Sequence, residues 1–294
     1  MRKRKLQAVL RFGGKGNMVD KIVPILEAIP HTCYCEPFGG AAAILLNKRP
    51  VKLETYNDLN SGLVDFFRVL TDPELFQQFY RRVELLPYSR ELYNEARDTW
   101  EEEKDLIKRV ALWFVVARQS FSGRFGAGWG STVRGMATSC SAWLSGIERL
   151  PETSNRLRRV QIEHADWRTI LERYDTPETL FYCDPPYLLE TRSNKRYKHE
   201  LSAQDHEDFI ARVLELEGYC AISGYNNPLY SRLDDAGWMR RDWETACHAA
   251  GKTRATRIQG KNSALEMQPR TESLWLSPNC NQDHLFLLRG GESQ

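Results

Sequence analysis

"CYCEPFGGAAAILLN", residues 33–47, is the stretch on which the fold turns. An apolar run ends in an acid, a Pro-Phe-Gly-Gly turn follows, and an alanine-rich helical segment begins. Glycines let a ligand approach the backbone closely, and small residues let a helix pack hard on a sheet. Asp58, in "YNDLN", stands at the end of the next apolar run, where an acid can bind the hydroxyls of a ribose. The stretch is not a Gly-x-Gly-x-x-Gly fingerprint. The upstream "GGKG" (13–16) lacks the Ser/Thr and the spacing of a phosphate loop. An adenosyl ligand without a pyrophosphate therefore fits better than NAD or ATP, and the alternative is a tight strand-to-helix turn with no ligand.

Working outward, five short runs read as buried strands: 31–36, 51–57, 159–164, 179–184 and 218–225. Helical patterns lie between some of them, notably after residue 40 and over "SAQDHEDFIARVLELEG" (202–218), where Ser202 is a plausible N-cap. Strands alternating with helices predict an α/β fold with a mainly parallel sheet. The alternation breaks between about residues 70 and 158, where "DLIKRVALWFVVARQ" (105–119) reads as helix and "SFSGRFGAGWGSTVRG" (120–135) as a mobile loop. The expected organisation is a first catalytic part over 1–70, a mainly helical insert over 71–158 and a second catalytic part over 159–294.

The net charge is only +2, so the chain as a whole does not advertise a polyanionic partner. Local charge does: residues 118–160 hold seven arginines, no lysine and two acids, with Phe121, Phe125 and Trp129 interleaved. That combination fits a surface meeting nucleic acid, and the alternative is a solvated basic face. Seven scattered cysteines form no Cys-x-x-Cys pair, and Cys33-x-Cys35 reads as strand rather than metal site. No stretch approaches membrane-spanning length. These features predict a reduced, cytoplasmic protein.

The second chemical motif is "FYCDPPYLLE", residues 181–190. Two prolines after a strand stiffen the chain and withdraw two backbone donors. Asp184 and the Pro185 carbonyl, at a strand's carboxyl end, can both accept hydrogen bonds from an exocyclic amino group, and Tyr187 offers a flat face to a base. Such an arrangement holds a delocalised, poorly nucleophilic amine in line with an electrophilic methyl.

In the order "RFGGKGNMVDKIVPIL", "EPFGGAAAILLNK", "YNDLN", insert and "DPPY", the chain resembles the Dam-like (alpha-group) DNA adenine-N6 methyltransferases. The resemblance implies a Rossmann-like methyltransferase sheet with helices on both faces, S-adenosyl-L-methionine as cofactor, and no metal. It implies cofactor contacts at Arg11, Lys15, Glu36, Phe38, Gly39, Asp58, Asp166 and Asp184. Arg11 departs from the family's usual aromatic, and Phe12 is next to it. It implies that Asp184, Pro185, Pro186 and Tyr187 form the catalytic corner for an adenine flipped out of double-stranded DNA. Ser122, Arg124 and Arg134 match the DNA-reading loop. The enzyme is expected to be bacterial or phage-encoded and to act as a monomer or a weak dimer on DNA. Cytosine-N4 methylation uses the same geometry, but its enzymes usually carry Ser where Asp184 stands. A catalytically dead DNA-binding module is the other alternative, against which Asp184, Tyr187 and Asp58 speak.

Overall fold

The computed structural model describes residues 5–7, 9, 14–131, 138–188, 200–246 and 269–280. Seven strands form one sheet: β1 (Cys33–Glu36), β2 (Leu53–Asn57), β3 (Val160–Glu163), β4 (Thr179–Cys183), β5 (Tyr219–Gly224), β6 (Met239–Ala246) and β7 (Pro269–Leu276). Their spatial order is β3-β2-β1-β4-β5-β7-β6. The five predicted strands are β1 to β5, all parallel, with Cys35 beside Thr55 on one side and Phe181 on the other. Pairs β5–β7 and β6–β7 are antiparallel. The chain leaves β1 towards β2 and β3, then returns to β4 on the other side of β1. The strand order therefore reverses between β1 and β4, and ligands of open α/β sheets bind outside the carboxyl ends of strands at such a point.

Side-chain alternation sorts the core into two layers. Tyr34, Tyr56, Leu180 and Tyr182 face one layer with α1 (Val19–Ala28), α2 (Ala43–Asn47) and α3 (Ser61–Thr71). Cys35, Phe181, Cys183 and Ile222 face the other, with α9 (Trp167–Tyr174), α10 (Ala203–Val213) and α11 (Ser231–Asp235). Central strands buried on both faces explain why these runs read as continuously apolar. Ser202 caps α10 in a capping box with Asp205, as its sequence predicts.

Five more helices lie between β2 and β3: α4 (Pro73–Glu84), α5 (Arg90–Thr99), α6 (Leu106–Gln119), α7 (Thr138–Glu148) and α8 (Leu150–Leu157). Helix α6 is buried along nearly its whole length. Its Phe114 stacks on Phe66 of α3 and meets Phe79 of α4 and Trp143 of α7, so rings join the helices to the sheet layer. After α6, residues 120–131 of the expected loop hold a short 3-10 turn (Phe121–Gly123) and a bridge between Ser120 and Trp129, and 132–135 lie outside the described residues.

One buried ion pair locks the last of these helices to the sheet. Arg156 of α8 donates to both oxygens of Glu54 on β2, at 2.6 and 2.8 Å, and Glu54 is 1% exposed. Removing one partner of such a pair leaves an uncompensated buried charge, which destabilises by about 3–5 kcal/mol. We predict that Arg156→Met lowers thermal stability by that order and that Arg156→Met/Glu54→Gln recovers most of it. Equal melting temperatures for the parent and the single variant in calorimetry would contradict this.

Candidate active site

The two motifs end adjacent strands. Glu36 closes β1 and Asp184 follows β4, so both stand at the reversal point, beside a cleft of about 920 Å³ with its open mouth included. Lys15, Glu36, Phe38, Gly39, Asp58, Asp184 and Pro186 all border it. Seven predicted site residues are thereby brought together from four separate parts of the chain.

The turn after β1 is shaped by contacts that only small residues allow. A methyl on Gly39 would stand 2.2 Å from Cε2 of Tyr56 and 3.1 Å from the Asn57 carbonyl oxygen. Gly40 adopts φ +51°, with nothing within 4 Å of the place a Cβ would take. Its N–H donates to Asp58 Oδ2 at 2.9 Å, and its carbonyl accepts from the Tyr56 hydroxyl at 2.8 Å. Asp58 Oδ1 accepts from the Asn60 N–H at 2.7 Å. Asp58 thus fastens the turn from the side of the cleft that it borders. Ala42 also has a positive φ, 54°, a conformation that strains an alanine. Asn57 pins the neighbouring loops: its side chain bonds the Pro37 carbonyl and both peptide groups of Ala165 at 2.8 to 3.0 Å.

Glu36 is 2% exposed and accepts from the Tyr34 hydroxyl at 2.7 Å and from the Leu45 N–H at 2.8 Å. Burial outweighs these donors and pushes its pKa up to about 8. Phe38 packs with Trp167 and edge-on against Phe209, forming an aromatic wall. Asp166 takes a different place from its neighbour Trp167. Its carboxylate is about half exposed and caps α9 through the Arg168 N–H at 2.9 Å, while Trp167 borders the cleft.

At the other corner, Lys15 is buried in a single 3-10 turn before α1. Its Nζ donates to Asp184 Oδ1 at 2.6 Å and to the Tyr187 hydroxyl at 2.6 Å, and lies 3.1 Å from Glu272 Oε1 on β7. The Tyr187 hydroxyl in turn donates to Glu272. Burial works against the Lys15 charge, but Asp184 and Glu272 outweigh it and hold the ammonium well above the usual lysine range. Burial raises the Asp184 pKa, and Lys15 counters part of that rise. Pro185 is buried behind the corner, and the Tyr187 ring meets Tyr225 edge-on at 4.6 Å. Cys183 faces away from the cleft into the opposite core layer, with Cys35 and Cys220.

Glu272 and Tyr182, which borders the cleft and bonds Ser223 at 2.8 Å, are site residues that the sequence reading did not single out. Glu272 lies within "RTESLWL" (270–276), where nothing local distinguishes it from a surface acid. On the expected DNA side, Ser122 lies in the short 3-10 turn Phe121–Gly123, and Arg124 is exposed beside exposed Phe121 and Phe125. Two of the seven arginines are not available to a surface: Arg118 is 7% exposed, and Arg156 holds Glu54. Arg11 and Arg134 lie outside the described residues.

A parallel sheet with an antiparallel final hairpin, a glycine turn after β1 and an Asp-Pro-Pro-Tyr corner after β4 define a Rossmann-like methyltransferase. Comparison with known families makes the assignment particular. Residues 12–246 match the model of the D12 class N6 adenine-specific DNA methyltransferase, and the chain belongs to that family of enzymes. No curated protein matches the chain.

The glycine turn gives a direct test of the cleft. We predict that Gly39→Ala destabilises the fold by roughly 1–3 kcal/mol through overpacking against Tyr56. Gly40→Ala meets no atom within 4 Å but holds an alanine at φ +51°, a strain of about 1–2 kcal/mol. Because Gly40 lines the cleft, this variant should also weaken nucleoside binding, more than Gly39→Ala does. Equal effects of the two variants on nucleoside binding would contradict this account of the turn.

Proposed function

We propose that the protein transfers a methyl group from S-adenosyl-L-methionine to N6 of an adenine flipped out of double-stranded DNA. The observation that carries this reading is the convergence of Glu36, Asp58 and Asp184 on one cleft at the strand-order reversal. The residues fit the cofactor. Gly40 leaves open space over the turn, Asp58 borders the cleft with a carboxylate, the group type that binds ribose hydroxyls, and the Phe38–Trp167 wall suits a flat ring. Buried Glu36 is a partner for a cationic amino-acid end. When bound, S-adenosyl-L-methionine supplies an electrophilic methyl on sulfonium.

The chain's own residues do the rest. The Asp184 carboxylate and the Pro185 carbonyl hold the hydrogens of the target amine and orient its lone pair, and Pro185 and Pro186 keep that carbonyl in place. Tyr187 supports the face of the base. Extruding a base from a duplex costs roughly a few kcal/mol, which we assign to contacts from 71–158, with Arg124 and Arg134 on phosphate or guanine. Lys15 sets the charge of the corner, and Asp166 positions Trp167 through the α9 cap.

The deciding experiment is label transfer from S-adenosyl-L-methionine to DNA. For Asp184→Ala we expect turnover to fall about 10²–10³-fold, with most DNA affinity retained, since phosphate contacts lie elsewhere. Parental turnover in that variant would remove the assigned role. Mapping the product as N6-methyladenine separates this reading from cytosine-N4 transfer.

A pH dependence follows from Glu36. In the free protein its carboxyl is mainly protonated below about 8, whereas a cationic ligand favours the ionised form. Cofactor binding should then release a proton near neutrality. Affinity should rise with pH by up to about tenfold per unit while Glu36 remains protonated in the free enzyme. Calorimetry between pH 6 and 7.5, in buffers of different ionisation enthalpy, measures both effects. Glu36→Gln should abolish the slope, and a flat profile for the parent would count against Glu36 as the cofactor's partner.

A further inference from the structure

Glu272 is 7% exposed, on a strand that runs opposite to the parallel ones. Its polar partners among the described residues are Lys15 and Tyr187. A buried carboxylate is destabilising unless it is paired, and here its one cation among the described residues, Lys15, is shared with Asp184. Lys15 donates to Asp184 and to Tyr187 at 2.6 Å each and pairs in charge with Glu272 at 3.1 Å. The shorter carboxylate contact is made to the acid that the substrate needs. On the adenine-N6 reading, the target amino group must share Asp184 with an ammonium already held there.

We propose that Glu272 is a positioning residue: when the target amino group engages Asp184, Glu272 takes up the Lys15 ammonium and keeps it off the base site. This inference rests on the function proposed above. The geometry gives the exchange a short path, because one ammonium already touches both acids and needs only to shift its weight between them. The Tyr187 hydroxyl bonds Glu272, so the carboxylate that receives Lys15 also fixes the ring against which the base lies. With a neutral side chain at 272, Lys15 has one anion left in the corner and stays on Asp184.

The titrating groups around Glu272 are Lys15, Asp184 and Tyr187 in contact, with Tyr182, Tyr225 and Glu36 behind them. The Glu272 charge raises the Asp184 pKa beyond the effect of burial. Removing that charge should move the acid limb of the rate profile to lower pH.

The test compares the full chain with Glu272→Gln and Glu272→Asp in single-turnover methyl transfer to duplex DNA. For Glu272→Gln we expect a rate about tenfold or more below the parent, Kd for cofactor and DNA within about threefold, and an acid limb at lower pH. Glu272→Asp keeps the charge and should restore the limb and part of the rate. A folded Glu272→Gln with the parental rate or the parental limb overturns the proposal. A measurement on the parent alone serves where the variant does not fold: a crystal structure with S-adenosylhomocysteine and duplex DNA. Lys15 should then bond Glu272 and have left Asp184 Oδ1, and Lys15 still on Asp184 beside a bound base overturns the proposal. The two levels separate cleanly. A parent that methylates adenine while Glu272→Gln is unaffected sinks only this inference, whereas a parent that transfers no methyl to adenine sinks the reading beneath it.

Discussion

The constraint on which the structure depends is the neighbouring of β1 and β4. Parallel pairing sets Cys33 beside Thr179 and Cys35 beside Phe181, so the two strands end at the same edge. A glycine turn and a proline corner, about 150 residues apart in the chain, are thereby held across one cleft. No loop has to reach for the other, because the register of the sheet fixes their separation. Rigid elements carry the acids, which is the condition for holding a reacting pair in a defined geometry. The antiparallel strand β7 extends the same logic. Its direction brings Ser273 beside Gly224, so its early residues lie at the edge where the parallel strands end. Glu272 reaches the corner for that reason.

Charge at this edge is organised around buried Lys15. It lies between Asp184 and Glu272, so among the described residues the corner sets one cation against two carboxylates. In a low-dielectric pocket such a cluster is high in stakes, since each group depends on the others for its ionisation. Glu36, on the neighbouring strand, has no cation at hydrogen-bond distance among the described residues and is raised to about 8. Burial raises both acids; Lys15 opposes the rise at Asp184, and the Tyr34 hydroxyl and the Leu45 N–H oppose it at Glu36.

Much of this was legible in the sequence, for physical reasons that differ by element. Strands β1, β2, β4 and β5 were readable because burial on both faces favours apolar runs, and α10 because its Ser202 cap is written locally; the edge strand β3, expected as buried, buries only Val160. Strands β6 and β7 were not read as a pair, since "RTESLWL" alternates polar and apolar residues and its partner strand lies some thirty residues upstream. The charge count over 118–160 overstated the surface, because sequence does not say that Arg156 will find Glu54 or that Arg118 will lie beneath α7. Asp166 also has a local part that the family resemblance does not name. An acid directly before a helix satisfies the free N–H groups of its first turn, and Asp166 does so. Motif spacing located the site. Long-range pairing decided its electrostatics.

The short helix α2 shows how the helical segment and the cleft are joined. In a five-residue helix every N–H among the first four and every C=O among the last four lacks an internal partner. Leu45 falls in both sets. Its N–H goes to Glu36 in the cleft, and its carbonyl accepts from Arg156 of α8 at 2.7 Å. One peptide unit on either side of Leu45 therefore connects the acid at the end of β1 to the helix that closes the segment between β2 and β3. A longer helix would have satisfied both groups internally and severed this connection. The brevity of α2, set by Ala42 in a left-handed conformation at one end and Pro50 shortly after the other, is what leaves Leu45 free to make it.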